Sequence, residues 1–131
     1  MDGEDFQKGN QKRASGLGLR DAIEETLARN ESLTRKKAEE LFNEMEIIAH
    51  IKQAIDDGHD ICRIPFSSEL VDKYPTSKFL GNKKYADLFL ALKALLVSEG
   101  VSCDAYNGKG EIVNNHNGAY QTLVISNFLP N

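Results

Sequence analysis

The pattern of apolar and polar residues predicts two successive helices in the first half of the chain. A four-residue apolar spacing predicts a short helix from about Leu19 to Ala28, with Asn30 at its end. A broader apolar arc predicts a long helix from Thr34, as its N-cap, to Asp57. So broad an arc indicates that the second helix is buried on more than one side.

A third pattern, the most regular in the chain, predicts a helix from Asn82, as its N-cap, to about Glu99. The apolar residues expected to face the core are Tyr85, Leu88, Phe89, Leu92, Leu95 and Leu96. The opposite face is apolar as well, with Ala86, Leu90, Ala94 and Val97. A helix that is apolar on both sides is expected to contact protein on both, either the N-terminal segment or a partner.

Between these helices, the pattern predicts one strand and one short helix. Residues 61–66 read as a short or edge strand, because Pro65 cannot donate a hydrogen bond to a neighbouring strand. Ser67 or Ser68 is expected to cap a brief helix over residues 69–74, which Pro75 stops. Residues 75–82 are predicted to form a loop.

The C-terminal part predicts a small antiparallel sheet. Residues 101–106 alternate between apolar and polar, and a last strand is expected over residues 120–127. Asn107-Gly108 and Asn117-Gly118 are strong turn signals between these two strands. Residues 111–113 are predicted to be either a third strand or part of a long hairpin loop.

Length and composition predict one domain behind a flexible leader. The chain has 131 residues, and its 40% hydrophobic content is sufficient for a packed core. Residues 1–18 are polar and predicted to be a flexible leader, and residues 19–131 are predicted to form a single α+β domain. The element order from residue 36 to about 128 is that of a winged helix, with helices packed on a small antiparallel sheet. No stretch of the sequence is long and apolar enough to predict a transmembrane segment.

Within that class, the chain resembles DEP domains, which are signalling modules. The resemblance lies in Ile64-Pro65-Phe66-Ser67-Ser68-Glu69-Leu70-Val71-Asp72, and it is supported by Tyr85-Ala86, Ala94-Leu95-Leu96 and Glu99-Gly100-Val101. It covers roughly residues 45–128. The resemblance implies a docking module without catalysis, in a cytoplasmic signalling setting. The resemblance does not extend to the family's hairpin arm, which carries membrane or receptor contacts, because only residues 60–65 are available for it. Peripheral membrane contact is left open.

Charge disfavours nucleic-acid binding. The net charge is −4; residues 1–60 hold 9 basic and 14 acidic residues, and residues 61–131 hold 7 and 6. Neither half is the strongly basic surface that binds phosphate. The outer face of the predicted 82–99 helix also lacks side chains that read base edges. The alternative hypothesis, a winged-helix nucleic-acid regulator, would use Lys73, Lys78, Lys83 and Lys84, with Lys109.

The residues with catalytic potential are too sparse to predict an enzyme. Cys103, Asn114 and His116 are the residue types of a nucleophilic site, but no local signature accompanies them. His59 and Cys62 have the spacing of metal ligands, yet zinc sites usually combine two such pairs. No cofactor, metal or catalytic residue is therefore assigned. Two cysteines so far apart in sequence are expected to be reduced, partly buried thiols.

The favoured hypothesis is a docking or adaptor domain that binds a protein partner or forms a homodimer. Two regions are predicted to make the contacts. The first is the outer face of the 82–99 helix, with Ala86, Leu90, Ala94 and Val97. The second is the loop 107–118, with Lys109 and His116.

Overall fold

The structure is a computed structural model that describes residues 18–81, 87–114 and 116–130. It is a mixed α+β fold, as the sequence predicts, in which helices pack on a small antiparallel sheet. Within the described residues the elements are α1 (Leu19–Glu44), α2 (Ile47–Asp56), β1 (Ile61–Pro65), α3 (Ser68–Lys73), α4 (Thr76–Phe79), α5 (Leu88–Ser98), β2 (Ser102–Asn107) and β3 (Tyr120–Ser126). None of the described helices is long and apolar enough to cross a bilayer.

The sheet places the last strand in the middle. Its strand order is β1-β3-β2, and both pairs are antiparallel. Because side chains alternate between the two faces of a strand, β1 buries Cys62 and Ile64 while β2 buries Cys103 and Ala105. A small antiparallel sheet with helices packed on it agrees with the predicted fold class.

The core lies between the sheet and the helices. Its fully buried side chains come from most of the elements, and the largest are Leu41, Ile47, Phe79, Leu92, Leu123 and Ile125. Phe79 is the centre of an aromatic cluster: its ring centroid lies 5.5 Å from that of Phe66, 4.7 Å from that of Tyr120 and 5.4 Å from that of Phe89. Full burial of a large apolar side chain such as that of Phe79 stabilises the folded state by about 1.5–3 kcal/mol.

The break between the first two helices is not where the pattern places it. The chain is helical without interruption from Leu19 to Glu44, and the Thr34 hydroxyl donates to the Asn30 carbonyl within the helix instead of capping a new one. The helix instead breaks at Met45 and Glu46, where Glu46 takes the left-handed conformation at φ 51°. This turn allows both Met45 and Ile47 to be buried, so tertiary packing decides its position.

Two smaller predictions are corrected as well, and one of two open alternatives is selected. The predicted loop 75–82 contains α4, whose residue Phe79 is fully buried in the core. The helix predicted from Asn82 begins at Leu88, because the extended backbone of Asp87 provides the N-cap; residues 82–86 lie outside the described part. Residues 111–113 belong to a loop, in which Ile112 makes a single bridge to Tyr106.

Candidate protein-interaction surface

The first part of the candidate surface is a stripe on α5 that points away from the core. Leu88, Phe89, Leu92 and Leu96 are buried, as the spacing predicts. The opposite stripe, which we call the α5 outer face, comprises Leu90, Ala94 and Val97, and all three residues are exposed. Leu90 retains 48% of its accessible surface and Val97 retains 55%. Ala86, the fourth residue predicted for this stripe, lies outside the described residues.

Asp87 determines where α5 begins and how its outer face starts. Its carboxylate accepts a hydrogen bond from the backbone N–H of Leu90 at 3.1 Å, which satisfies one of the free donors of the first turn. Burial raises the pKa of the Asp87 carboxyl, while backbone hydrogen bonds from Leu90 and Phe89 oppose that rise. A cap of this kind holds Leu90 at a defined position on the first turn.

An open groove separates the α5 outer face from α1. It has a volume of about 430 Å³; Leu90, Ala91 and Ala94 line it on the α5 side, and Glu31, Thr34 and Arg35 line it on the α1 side. α1 therefore packs beside α5, which is one of the two alternatives stated for the second face of this helix, but it leaves Leu90 uncovered. The groove combines an apolar wall with charged groups at its edge.

The second part of the candidate surface is the loop 107–118, which a buried asparagine organises. The Asn107 amide nitrogen donates to the Glu111 carboxylate at 3.1 Å and to the Asn117 carbonyl at 2.8 Å. Its amide oxygen accepts from the backbone N–H groups of Lys109 at 2.9 Å and Glu111 at 3.0 Å. These bonds use the full hydrogen-bonding capacity of the Asn107 side chain.

A second asparagine closes the same loop. The Asn117 side chain accepts from the backbone N–H of Asn114 at 3.0 Å and donates to the carbonyl of Ile112 at 2.9 Å. The two predicted residues of this loop, Lys109 and His116, are exposed, and so is Ile112. The loop thus presents a cation, an imidazole and an apolar side chain from a backbone held by hydrogen bonds.

The lysines of the nucleic-acid hypothesis are only partly among the described residues. Lys73 donates to the Glu44 carboxylate at 2.9 Å, and this hydrogen bond is the main cause that raises the pKa of Lys73. Lys78 is exposed on α4, whereas Lys83 and Lys84 lie outside the described residues. Lys93, the charged residue of α5, lies 3.5 Å from the Asp104 carboxylate. Among the described lysines of that hypothesis, Lys73 is thus paired with a carboxylate.

The thiols are placed for packing rather than for chemistry. Cys62 and Cys103 are both free and buried, as predicted. Burial raises the pKa of Cys103 to about 12, so its sulfur remains protonated and is a poor nucleophile at neutral pH. The backbone N–H of His116, not its imidazole, donates to the Asn114 side-chain oxygen at 2.7 Å. Among the described residues, no group of three His, Cys, Asp or Glu side chains is arranged to hold a metal ion.

One buried polar atom lacks a partner within the described part of the chain. The Tyr120 hydroxyl makes no hydrogen bond there, although the ring packs against Phe66 with centroids 4.0 Å apart. Burial raises the pKa of Tyr120 to about 12. By contrast, the Tyr74 hydroxyl donates to the Glu44 carboxylate at 3.3 Å.

The sequence interpretation missed two features that the structure shows. It treated Asn107 only as a turn residue, although the side chain holds the whole loop together. It also gave no role to the apolar residues of the first helix, Leu19, Ile23 and Leu27, which are exposed. Their regular spacing in a helix was the available signal for this second feature.

Comparisons with known proteins do not assign the chain to a family. No protein-family model matches the chain, and no curated protein or solved structure shows significant similarity to it.

Proposed function

We propose that the chain is a non-enzymatic docking or adaptor domain that binds a protein partner through the α5 outer face and the loop 107–118. The observation that carries this proposal is the exposure of Leu90 and Val97, each about half uncovered on a helix that has one charged residue. Large apolar side chains grouped on one exposed face are typical of interaction sites. Burial of this face against a partner would remove its apolar surface from water.

The groove beside the α5 outer face supports the proposal through its chemistry. Leu90 and Ala94 lie on its apolar side, while Glu31 and Arg35 line the opposite side. An apolar centre with a charged rim is the usual composition of a protein–protein interface. A partner helix with apolar residues three and four positions apart would suit such a groove.

The loop 107–118 supports the proposal through its order. The hydrogen bonds of Asn107 and Asn117 hold its backbone before any partner arrives. A loop that is already ordered loses less conformational entropy on binding, so more of the contact energy remains as affinity. Lys109 and His116 would then contribute polar contacts at the edge of the interface.

The fold agrees with this function but does not establish it. A winged-helix-like arrangement serves many functions, and the resemblance to DEP domains favours docking among them. Buried, free thiols at Cys62 and Cys103 fit a reducing cytoplasmic setting.

The experiment that tests the proposal compares partner capture by matched variants. The immobilised full chain, Leu90→Glu, Val97→Glu and Ile48→Glu are each incubated with cytosolic extract, and retained proteins are quantified by mass spectrometry. Ile48 is the matched control, because it is 56% exposed on α2 and accepts the same new charge. We expect the Leu90 and Val97 variants to lose at least about 90% of a partner that Ile48→Glu retains.

Two results would overturn the proposal. Equal capture by all four proteins would show that the α5 outer face is not the interface. Loss of the native circular dichroism spectrum in Leu90→Glu would show that this side chain belongs to the core. A salt-dependent shift of random duplex DNA by the unmodified chain would favour the nucleic-acid alternative.

A further inference from the structure

The first half of α1 is exposed along its whole length. Every residue from 19 to 33 is exposed, whereas the buried residues of the helix, Ala38 and Leu41, lie in its second half. At 1.5 Å per residue, the exposed half is roughly 22 Å long. Helices in proteins are stabilised mainly by packing of an apolar face, and this half of α1 has no such packing within the described chain.

One face of this exposed half has the spacing of a coiled-coil seam. The spacing alternates between four and three residues through Leu19, Ile23, Thr26, Asn30 and Leu33. Three of these residues are large and apolar, and Ile23 remains 47% exposed and Leu33 52% exposed. We refer to these five residues as the α1 seam. It does not include Leu90, Ala94 or Val97, so it is separate from the α5 outer face.

The charges along α1 select the orientation of a second helix on this seam. Residues 19–25 contain one arginine and three carboxylates, a net charge of −2. Residues 31–37 contain three basic residues and one carboxylate, a net charge of +2. Two parallel copies of the helix would place like charges together. Two antiparallel copies, centred at Ala28, place residues 19–25 of each beside residues 31–37 of the other.

The same alignment brings four of the five seam residues into matching layers, while Leu19 lies at the level of Lys37 of the second copy. With the centre at Ala28, Ile23 of one copy lies at the level of Leu33 of the second, and Thr26 lies at the level of Asn30. Each layer occurs twice because the two copies are related by a two-fold axis. The same surface of each copy therefore forms the contact, which leaves no site for a third copy. The central Thr26–Asn30 layers would fix the register, because a polar pair in an apolar seam disfavours shifted alignments.

The geometry points to self-association: a second copy of this chain binds to the α1 seam as an antiparallel, two-fold symmetric dimer. This inference goes beyond the proposed function, since it assigns a different surface and a defined partner. The α1 seam that forms the dimer contains none of the residues of the α5 outer face. A dimeric adaptor would present two copies of that face and bind a divalent partner with increased avidity.

The first test measures the mass of the full chain by sedimentation equilibrium over a range of concentrations. We expect a species of twice the 14.6 kDa chain mass, with a dissociation constant that Ile23→Glu and Leu33→Glu each raise at least about tenfold. Ala28→Glu is the matched control, because it adds the same charge to the opposite, exposed side of the same helix and should leave the dimer intact. Circular dichroism verifies that each variant is folded, and the two seam variants provide independent readings.

The second test determines the orientation by oxidative cross-linking. Ile23→Cys and Leu33→Cys are prepared separately and then mixed, while Cys62 and Cys103 remain buried. An antiparallel dimer predicts a cross-link between the two variants that exceeds the cross-link of either variant alone. Cross-linking of Ile23→Cys to itself would instead indicate a parallel pair and overturn the proposed arrangement.

Failure of this inference can be told apart from failure of the proposed function. A chain that stays monomeric at hundreds of micromolar would overturn the dimer and leave the α5 proposal standing. A dimer dissociated by Leu90→Glu but not by Ile23→Glu would assign self-association to α5 and overturn the α1 seam. A dimer dissociated by the seam variants alone supports the inference, whatever the result of partner capture.

Discussion

The side-chain amide of Asn107 donates a hydrogen bond to the backbone carbonyl of Asn117, 2.8 Å away, and thereby joins the two ends of the loop 107–118. Replacing Asn107 with alanine removes this bond and the other three bonds of its buried amide. We expect Asn107→Ala to lower the free energy of unfolding by about 2 kcal/mol, as measured by urea denaturation. Faster amide hydrogen exchange at Lys109 and Glu111 should accompany the loss.

Asn107→Asp distinguishes the hydrogen bonds that the Asn107 side chain donates from those that it accepts. It retains an acceptor for the Lys109 and Glu111 N–H groups but removes both donors and adds a charge beside the Glu111 carboxylate. A stability equal to that of the unmodified chain would contradict the role assigned to the donors.

The alkaline limit of stability should reflect the buried thiol and phenol. Burial raises the pKa of Cys103 from 9.0 to about 12 and that of Tyr120 from 10.0 to about 12. At a pH between the ordinary pKa of each group and its raised pKa in the folded chain, the unfolded chain has released a proton that the folded chain retains. The free energy of unfolding therefore falls as pH rises through this range. Each group contributes a slope of at most about 1.4 kcal/mol per pH unit.

Urea denaturation at a series of pH values from 8 to 11 tests this expectation. Cys103→Ala should lower stability at pH 8 but flatten its decline at higher pH, because the titrating group has been removed. A decline as steep as that of the unmodified chain would show that Cys103 does not control the alkaline limit.

Removing the Tyr120 hydroxyl should not destabilise the fold. This hydroxyl is buried without a hydrogen-bond partner among the described residues, so its desolvation is not compensated. We expect Tyr120→Phe to leave the free energy of unfolding unchanged or to raise it by up to about 1 kcal/mol. Tyr74→Phe is the matched comparison, because its hydroxyl donates to Glu44, and it should lower stability by about 0.5–1 kcal/mol. A larger loss at Tyr120 than at Tyr74 would indicate a partner for the Tyr120 hydroxyl.

The N-cap of α5 can be tested with a pair of substitutions. Asp87→Ala removes the acceptor for the Leu90 N–H and should lower the free energy of unfolding by about 1 kcal/mol. Asp87→Asn retains an acceptor and should remain within about 0.5 kcal/mol of the unmodified chain. Thermal unfolding followed by circular dichroism measures both changes, and equal losses would assign the effect to charge instead of capping.

Local periodicity was sufficient to predict the elements whose residues are buried by near neighbours. Leu88, Leu92 and Leu96 recur at the helical period and face the core of α5, and Cys103 and Ala105 alternate into the core from β2. The exposure of Leu90 follows from the same period, so this part of the candidate surface could also be predicted.

Features that depend on distant contacts could not be predicted in this way. Asn30 and Thr34 have the residue types of helix ends, yet the helix continues through both, and it breaks at Glu46, a residue type that rarely takes the left-handed conformation. Phe79 lies in a segment that reads as a loop, and it is buried against Phe66, Phe89 and Tyr120, which lie in distant parts of the chain. The loop 107–118 is ordered by a contact ten residues away along the chain, which no short-range pattern contains.

The central position of β3 also affects how the domain is completed during synthesis. β1 ends at Pro65, but the strand that pairs with it begins at Tyr120, more than fifty residues later. During synthesis on the ribosome, neither β1 nor β2 can form its strand-to-strand hydrogen bonds until β3 has emerged. Such long-range pairing slows folding and exposes strand edges to aggregation. A nascent chain released before Tyr120 would lack the central strand, so its helices would have no complete sheet on which to pack.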